Sequence, residues 1–173
     1  MLKYILTLMA IINLFSCKPA KDLPTVKEVD INKYAGQWYE IAKLPNRFEK
    51  GLECATATYA IKKNGKIEVR NAAFVSDNKS KLKKIKGAAW VPDVNFPGRL
   101  KVRFFWPFSG DYYIMALDEK YSHVLVGAPS RKYLWILSRT KRMDDGIYNQ
   151  LLEIAKANGF DITKVVKDNQ DCN

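Results

Sequence analysis

The chain has 173 residues, with 29 lysines and arginines against 18 aspartates and glutamates, and its formal net charge is +11. Such an excess of positive charge favours anionic partners, either nucleic acid or an acidic membrane surface. His123 is the single histidine, which excludes a zinc site with two histidine ligands and leaves one base for any serine–histidine–aspartate triad.

The first sixteen residues predict export from the cytoplasm. Lys3 is followed by an apolar stretch without acidic residues, which is too short for a bilayer span of about 20 residues and is typical of a secretory signal peptide. The stretch ends in Leu14-Phe15-Ser16-Cys17, which resembles the lipobox of bacterial lipoproteins, where the cysteine is acylated and begins the mature chain. We therefore expect a lipoprotein signal peptide over residues 1–16, lipid on Cys17 and a tether over residues 17–29. The alternative is an ordinary cleaved signal with an incidental cysteine.

The residue after Cys17 is Lys18 and not aspartate. This segment resembles the lipobox of Gram-negative lipoproteins. In those proteins, the absence of aspartate after the cysteine implies a position at the outer membrane. The expected partner is therefore a membrane, reached through an N-terminal lipid anchor.

Residues 30–173 are enough for one domain with a sizeable core. Turn-forming residues divide most of this region into eight segments of alternating or β-branched character, and Asn64-Gly65 is a tight hairpin signal. The predicted strands are Gly36–Leu44, Glu53–Lys62, Lys66–Phe74, Ser80–Val91, Arg99–Trp106, Tyr112–Leu117, His123–Gly127 and Lys132–Ser138. Consecutive strands with short connections predict an antiparallel meander, and closure into a barrel would remove its exposed edges. An eight-stranded barrel has room for one small ligand.

One segment near the end has helical spacing. Ile147, Leu151, Ile154 and Ala155 recur at intervals of three and four residues, with Asp144 or Asp145 available as N-cap and Gly159 as a C-terminal stop. These positions predict an amphipathic helix on the outside of the barrel. A short extended piece, Thr163–Lys167, follows it.

Cysteine usage points to a cross-link. If Cys17 carries lipid, Cys54 and Cys172 are left as a pair in an oxidising compartment, and a disulfide is the expected use. Two free thiols are the alternative.

Three short motifs resemble the signatures of the lipocalin family. They are Gly36-Gln37-Trp38-Tyr39-Glu40-Ile41-Ala42, then Ala116-Leu117-Asp118-Glu119-Lys120-Tyr121-Ser122, then Leu134-Trp135-Ile136-Leu137-Ser138-Arg139, in family order and spacing. Within the family the chain is similar to the bacterial outer-membrane lipoprotein lipocalins and the apolipoprotein D-like members. The resemblance implies an all-β fold, an eight-stranded antiparallel up-and-down barrel (calyx) with one C-terminal α-helix packed outside. It also implies a structural floor made by Gly36, Trp38 and Arg139, and it places Cys54 and Cys172 where some members have a disulfide.

The resemblance, together with strand alternation, implies which side chains line the ligand cavity. The predicted ligand-binding residues are Ala57, Tyr59, Val69, Asn71, Leu100, Val102, Phe104, Tyr112, Ile114, Tyr133 and Trp135. Aromatic and aliphatic walls with a few polar groups suit one acyl chain with a polar head, so the expected ligand is a fatty acid or a lysophospholipid. The alternative is that these side chains fill the interior and leave a packed core.

The sequence predicts a binding protein and not an enzyme, with no cofactor, no metal and no catalytic residue, because no phosphate-binding loop, dinucleotide fingerprint or Cys-x-x-Cys pair occurs. Carriage of a tetrapyrrole, with His123 as the candidate axial ligand, and a lipocalin-fold isomerase are lower-ranked alternatives. Export speaks against a nucleic-acid partner despite the basic charge, and a homodimer is left open. The densest basic run, Lys79 to Lys86, is interpreted mainly as the solvated outer face of a strand, and attraction to anionic headgroups is the alternative.

Overall fold

The computed structural model describes residues 22–172, so the predicted signal peptide and Cys17 lie outside the described part of the chain. Two α-helices flank a large antiparallel sheet. The elements are α1 Ile31–Tyr34, β1 Gly36–Lys43, β2 Leu52–Ile61, β3 Ile67–Val75, β4 Asn78–Trp90, β5 Arg99–Phe105, β6 Phe108–Leu117, β7 His123–Gly127, β8 Leu134–Ser138, α2 Asp145–Ala157 and β9 Val166–Lys167, with a 3-10 turn at Ile162–Lys164. Between Asp22 and Cys172, neither helix has the length and apolar content that a transmembrane span requires.

Eight strands form a closed barrel. Each strand from β1 to β8 is antiparallel to the next, and β1 pairs with both neighbours, with Trp38 opposite Ala57 of β2 and Tyr39 opposite Ser138 of β8. The ninth strand pairs with the end of β1, where Ala42 lies opposite Lys167. The predicted antiparallel up-and-down barrel is therefore confirmed, with one short additional strand outside it.

The strand directions define two ends of the barrel. The end at which β1 begins is called the floor, and α1 lies there together with the connections at 62–66, 91–98 and 118–122. The opposite end is called the mouth. Four connections meet at the mouth, at 44–51, 76–77, 106–107 and 128–133.

Alternation along the strands separates two apolar clusters. Inside the barrel, the inner cluster consists of Tyr34, Trp38, Tyr59, Ile67, Val69, Ala89, Leu100, Tyr112, Ile114, Val124, Val126 and Leu137. The outer cluster lies between the barrel wall and α2 and consists of Leu23, Ile41, Ala42, Leu44, Met115, Leu125, Leu134, Ile136, Tyr148, Leu151, Ala155 and Phe160. Neighbouring residues such as Val124 and Leu125 enter different clusters because successive side chains of a strand point to opposite faces.

The predicted C-terminal helix is confirmed as α2. The Asp144 carboxylate accepts the backbone N–H of Ile147 at 3.1 Å, which satisfies one of the free donors of the first turn. Gly159 follows the helix with a φ of +84°, a left-handed conformation that glycine adopts without steric cost. The same kind of cap starts α1, where Asp30 accepts from Asn32 at 2.9 Å. α1 is not predictable from the sequence pattern, because four residues are too few to show helical periodicity.

The C-terminal tail is fixed to the mouth half of β1 and β2. Cys54 and Cys172 form a disulfide that joins positions 118 residues apart, as expected from the sequence. The Gln170 amide donates to the carbonyls of Glu40 at 2.8 Å and Ala55 at 3.0 Å, and Asp168 accepts the N–H of Ala55 at 2.7 Å. These contacts close the gap that opens where β2 diverges from β1.

Candidate ligand-binding site

The floor of the barrel is closed by Trp38 and Arg139. The Arg139 guanidinium lies 3.8 Å from the centroid of the Trp38 ring, and the indole is completely buried. The same guanidinium donates to five backbone carbonyls, those of Lys33, Tyr34, Ala35, Gln37 and Tyr121, at distances from 2.8 to 3.1 Å. Arg139 therefore ties α1, β1 and the 118–122 connection to the end of β8.

Three tyrosines meet above the floor. The hydroxyl of Tyr112 lies 2.6 Å from that of Tyr34, and it accepts a hydrogen bond from Tyr59 at 2.8 Å. Burial raises the pKa of Tyr59 to about 12 and raises the pKa values of Tyr34 and Tyr112 well above the ordinary value. The three hydroxyls therefore keep their protons and satisfy one another inside the barrel. We name this group the tyrosine shelf.

The lower half of the interior is packed by its own side chains. Five predicted ligand-binding residues belong to the inner cluster and are at most 9% exposed, namely Tyr59, Val69, Leu100, Tyr112 and Ile114. They fill this half of the interior and do not surround free space. The packed-interior alternative thus describes this half of the barrel.

The upper half of the interior, which we call the hollow, is less completely buried. Five other predicted residues, Ala57, Asn71, Val102, Phe104 and Trp135, carry the same inward alternation but are only partly buried, so solvent reaches them from the mouth. Phe104 lies across Gly87 of the neighbouring strand, where a β-carbon would come within 2.7 Å of the Phe104 ring. The Phe104 ring therefore packs directly on the backbone of Gly87, and the wall is apolar at this point.

One polar atom faces this hollow without a protein partner. The Oδ1 atom of Asn71 is buried and makes no hydrogen bond within residues 22–172. An unpaired buried acceptor is costly, and a bound donor would remove the cost. Asn71 is thus a candidate polar contact for a ligand head.

A charged group of Glu40, Lys43 and Glu49 lies beside the hollow, and the sequence pattern does not predict it. Lys43 Nζ lies 2.6 Å from Glu40 Oε1 and 3.1 Å from Glu49 Oε2, while the Trp135 indole N–H donates to Glu49 at 3.1 Å. Glu40 and Lys43 both pair with inward-facing residues of β8, because a bulge at Ile41 shifts the register between them. Simple alternation from Trp38 places Glu40 inside but not Lys43.

The ionisation of this group is coupled to its burial. Burial, and then the nearby Glu49 carboxylate, raise the pKa of Glu40 to about 8, against the opposing effect of Lys43. Despite burial, the two carboxylates raise the pKa of Lys43 above its usual value. Burial thus opposes the charged form of Glu40, and the contact with Lys43 favours it.

We expect Glu40 to make folding stability fall as pH rises. The folded state holds a proton on Glu40 up to about pH 8, whereas an unfolded glutamate loses it near pH 4.5, so only the folded state binds this proton between those values. The free energy of unfolding should decrease by about 1 kcal/mol per pH unit relative to Glu40→Gln. Urea unfolding from pH 5 to 9 measures the slope. Glu119→Gln, on an exposed connection, is the control; equal slopes for wild type and Glu40→Gln would contradict the assignment.

Two residues at the mouth, Tyr133 and Lys83, differ from the prediction in position. Tyr133 lies at the rim, where its ring stacks between Phe48 at 6.3 Å and Trp135 at 5.9 Å. Lys83 pairs with Ala73, which lies on the same inward face of β3 as Asn71 and Val69. Lys83 is therefore on the inner face of β4 at the rim. The interpretation of the lysine run as an outer face is wrong for Lys83, whereas Lys86 is outside and pairs with Glu68 at 2.8 Å.

His123 does not face the hollow. It precedes the inward-facing Val124, so its side chain lies on the outer face, where Nδ1 is 3.1 Å from Ser122 Oγ. No cluster of three or more metal-ligating side chains occurs within residues 22–172.

Comparisons with known proteins agree with the geometry of the barrel. Residues 29–170 match the model of a lipocalin-like domain. The chain is 42% identical over 148 residues to the outer membrane lipoprotein Blc of Citrobacter freundii, which covers 86% of this chain and 83% of that protein. It is 36% identical over 157 residues to apolipoprotein D of Macaca fascicularis, and the match covers 86% of this chain and 82% of that protein.

A solved structure has the same architecture. Insecticyanin from the tobacco hornworm Manduca sexta superposes with a TM-score of 0.70 at 21% identity, over 87% of this chain and 86% of that one. This similarity supports the fold, and the sequence matches give the family. The chain therefore belongs to the lipocalin-like family, whose members are in general binding and transport proteins for small hydrophobic ligands.

Proposed function

We propose that the protein is a lipid-anchored carrier of the outer membrane that holds a fatty acid or a lysophospholipid in the upper half of the barrel. The observation that supports this most is the amphipathic hollow above the tyrosine shelf. Its walls are apolar, at Ala57, Val102 and Phe104, and polar groups occur only beside them, at Asn71 and around Lys43. A single acyl chain with one polar head has the same distribution of polarity.

The polar groups near the mouth suit an anionic head. The ammonium of Lys83 lies on the inner face at the rim and could donate to such a head. The acyl chain would lie against Phe104 and Trp135, with its end directed at the tyrosine shelf. Storage or exchange of lipids in envelope maintenance or stress is the corresponding role.

The anchor is supported by the N-terminal sequence and by the relatives. The lipobox-like Leu14-Phe15-Ser16-Cys17 would place lipid five residues before Asp22. Asp22 itself is held on the outer wall by Arg99, at 2.6 Å, and Leu23 is buried in the outer cluster. The Blc proteins that this chain resembles are named outer membrane lipoproteins.

The direct test is native mass spectrometry of the protein purified from its own cells, followed by lipid extraction. A recovered single-chain lipid is the expected result. Recovery of a pigment or tetrapyrrole would replace the proposal with the alternative, which the outward position of His123 disfavours. A cysteine-dependent isomerase is disfavoured as well, because both cysteines in the described part of the chain form the disulfide.

Filling the hollow should abolish binding. Ala57→Trp adds a large ring to the open part of the interior, and we expect the affinity for a dansyl-labelled undecanoate to fall at least tenfold, about 1.4 kcal/mol. Thr58→Trp is the matched control, since the adjacent Thr58 is on the outer face. Fluorescence titration measures both variants, with circular dichroism to verify folding. Equal affinities for the two variants would place the ligand elsewhere.

A further inference from the structure

The tip of the β5–β6 hairpin is an aromatic projection at the mouth. Phe105 is 65% exposed, Trp106 is 83% exposed and Phe108 is 77% exposed. No side-chain hydrogen bond, ion pair or ring contact within residues 22–172 involves these three residues. Isolated exposed apolar residues are normal on protein surfaces, but a contiguous group of large rings marks an interaction site.

The opposite end of the barrel provides an internal comparison. Among the described residues, the exposed large apolar side chains at the floor are Ile61, Val94 and Phe96, of which only Phe96 is aromatic, and the Arg99 guanidinium lies 4.4 Å from its ring centroid. At the mouth, Phe48 on the 44–51 connection is 60% exposed in addition to the hairpin tip. Aromatic exposure is therefore concentrated at the end where the hollow opens.

Basic residues lie on the mouth half of β4, the strand that neighbours the hairpin. Lys81, Lys83 and Lys84 of β4 are exposed and have no ion pair within residues 22–172, while Lys79 lies 3.6 Å from Glu53. On the hairpin itself, Asp111 is neutralised by Lys101 at 2.7 Å. The mouth thus presents aromatic rings at its extremity with uncompensated positive charge beside them.

From this arrangement we infer that the mouth docks on an anionic phospholipid bilayer by inserting the β5–β6 tip at the level of the headgroups. Tryptophan rings are favoured at the membrane–water interface, and lysines close to an anionic surface add electrostatic attraction. Charge complementarity favours a bilayer over a second copy of this chain, whose mouth would be positive as well. The hollow would then open toward the membrane, so that a lipid could pass between them.

The N-terminal reach is compatible with this orientation, a point that depends on the proposed acylation of Cys17. Asp22 is held by Arg99, which pairs with Tyr113 of β6. Five residues of strand separate Tyr113 from Phe108, about 17 Å at 3.3 Å per residue. Five residues of extended chain from Cys17 to Asp22 also span about 17 Å at most. A lipid on Cys17 can therefore reach the plane of the tip.

Depth-dependent fluorescence quenching tests the docking on the full protein. Protein purified from the membranes of its own cells is reconstituted in vesicles of phosphatidylethanolamine and phosphatidylglycerol, with part of the former brominated on the acyl chains. We expect Trp106→Phe to lose at least half of the quenching, while Trp90→Phe, which removes a partly buried indole near the floor, keeps it. Because an anchor would hold every variant on the vesicle, the measurement reports the position of the tip. Equal quenching in both variants would overturn the inference.

The charge contribution and the alternative occupant are tested in the same system. The triple variant Lys81→Glu, Lys83→Glu, Lys84→Glu should lower quenching at least twofold, and uncharged phosphatidylcholine vesicles should do the same. A dimer that Trp106→Ser dissociates, without any change in quenching, would assign the tip to a second copy and refute membrane docking. Ala57→Phe, which fills the hollow without adding an indole to the fluorescence signal, separates the two proposals: it should block the ligand and leave quenching unchanged.

Discussion

Replacement of Arg139 by alanine is expected to lower the free energy of unfolding by about 3 kcal/mol, the larger part of which comes from the loss of hydrogen bonds from a charged donor. Five carbonyls lose a charged donor, although that of Tyr34 keeps the Trp38 indole N–H at 2.9 Å. Stacking of the guanidinium on Trp38 at 3.8 Å contributes on the order of 1 kcal/mol in addition. Loss of hydrogen bonds to a charged group accounts for about 2 kcal/mol.

For a domain of this size, such a loss corresponds to a decrease of about 8 °C in Tm. Differential scanning calorimetry measures it. Arg139→Lys retains the charge but not the planar fork, so we expect it to recover less than half of the loss. Lys141→Ala, exposed two residues further along the chain, is the control and should leave Tm unchanged. A wild-type Tm in Arg139→Ala would mean that the floor does not depend on this side chain.

Removal of the disulfide should have an effect of similar or larger size. The bond joins Cys54 and Cys172, 118 residues apart, and release of so long a loop increases the entropy of the unfolded chain. In the chain-entropy model, Cys54→Ser combined with Cys172→Ser costs about 5 kcal/mol. Chemical unfolding in guanidinium chloride gives the difference.

Reduction of the wild-type protein supplies the matched control. Dithiothreitol should lower the stability of the wild type to that of the double variant and should not alter the double variant. Hydrogen exchange should locate the loss first at the tail, where the N–H of Asp168 donates to Ile41 at 2.9 Å. Unchanged stability after reduction would show that the tail is fixed by its hydrogen bonds alone.

The strand pattern was predictable because it depends on local signals. β7 occupies His123–Gly127 as predicted, and the first strand differs only at its last residue, Leu44. The largest difference is β6, which begins at Phe108 and not at Tyr112. The predicted strand bounds place Gly110 in the connection between the fifth and sixth strands. The actual turn contains only Trp106 and Pro107, and Gly110 pairs with Val102 inside the hairpin.

The site was predictable only in part because it depends on features that alternation does not contain. The inward set was assigned correctly to the barrel interior for residues such as Tyr59 and Trp135. The division of the interior into a packed half and a less buried half depends on the sizes of side chains from several strands. The charged group at Lys43 depends on the bulge at Ile41, and bulges leave no regular mark in a sequence. That these residues bind a ligand stays a prediction.

The tyrosine shelf would set a depth limit for the proposed ligand. Its hydroxyls use one another as partners, and Tyr112 pairs with Leu100, five residues below Phe105 at the mouth. Along strands tilted by about 40°, this distance corresponds to about 13 Å. A longer hydrocarbon tail must bend back on itself or protrude beyond the rim. The barrel would thus select ligands by length and favour short or kinked hydrocarbon chains.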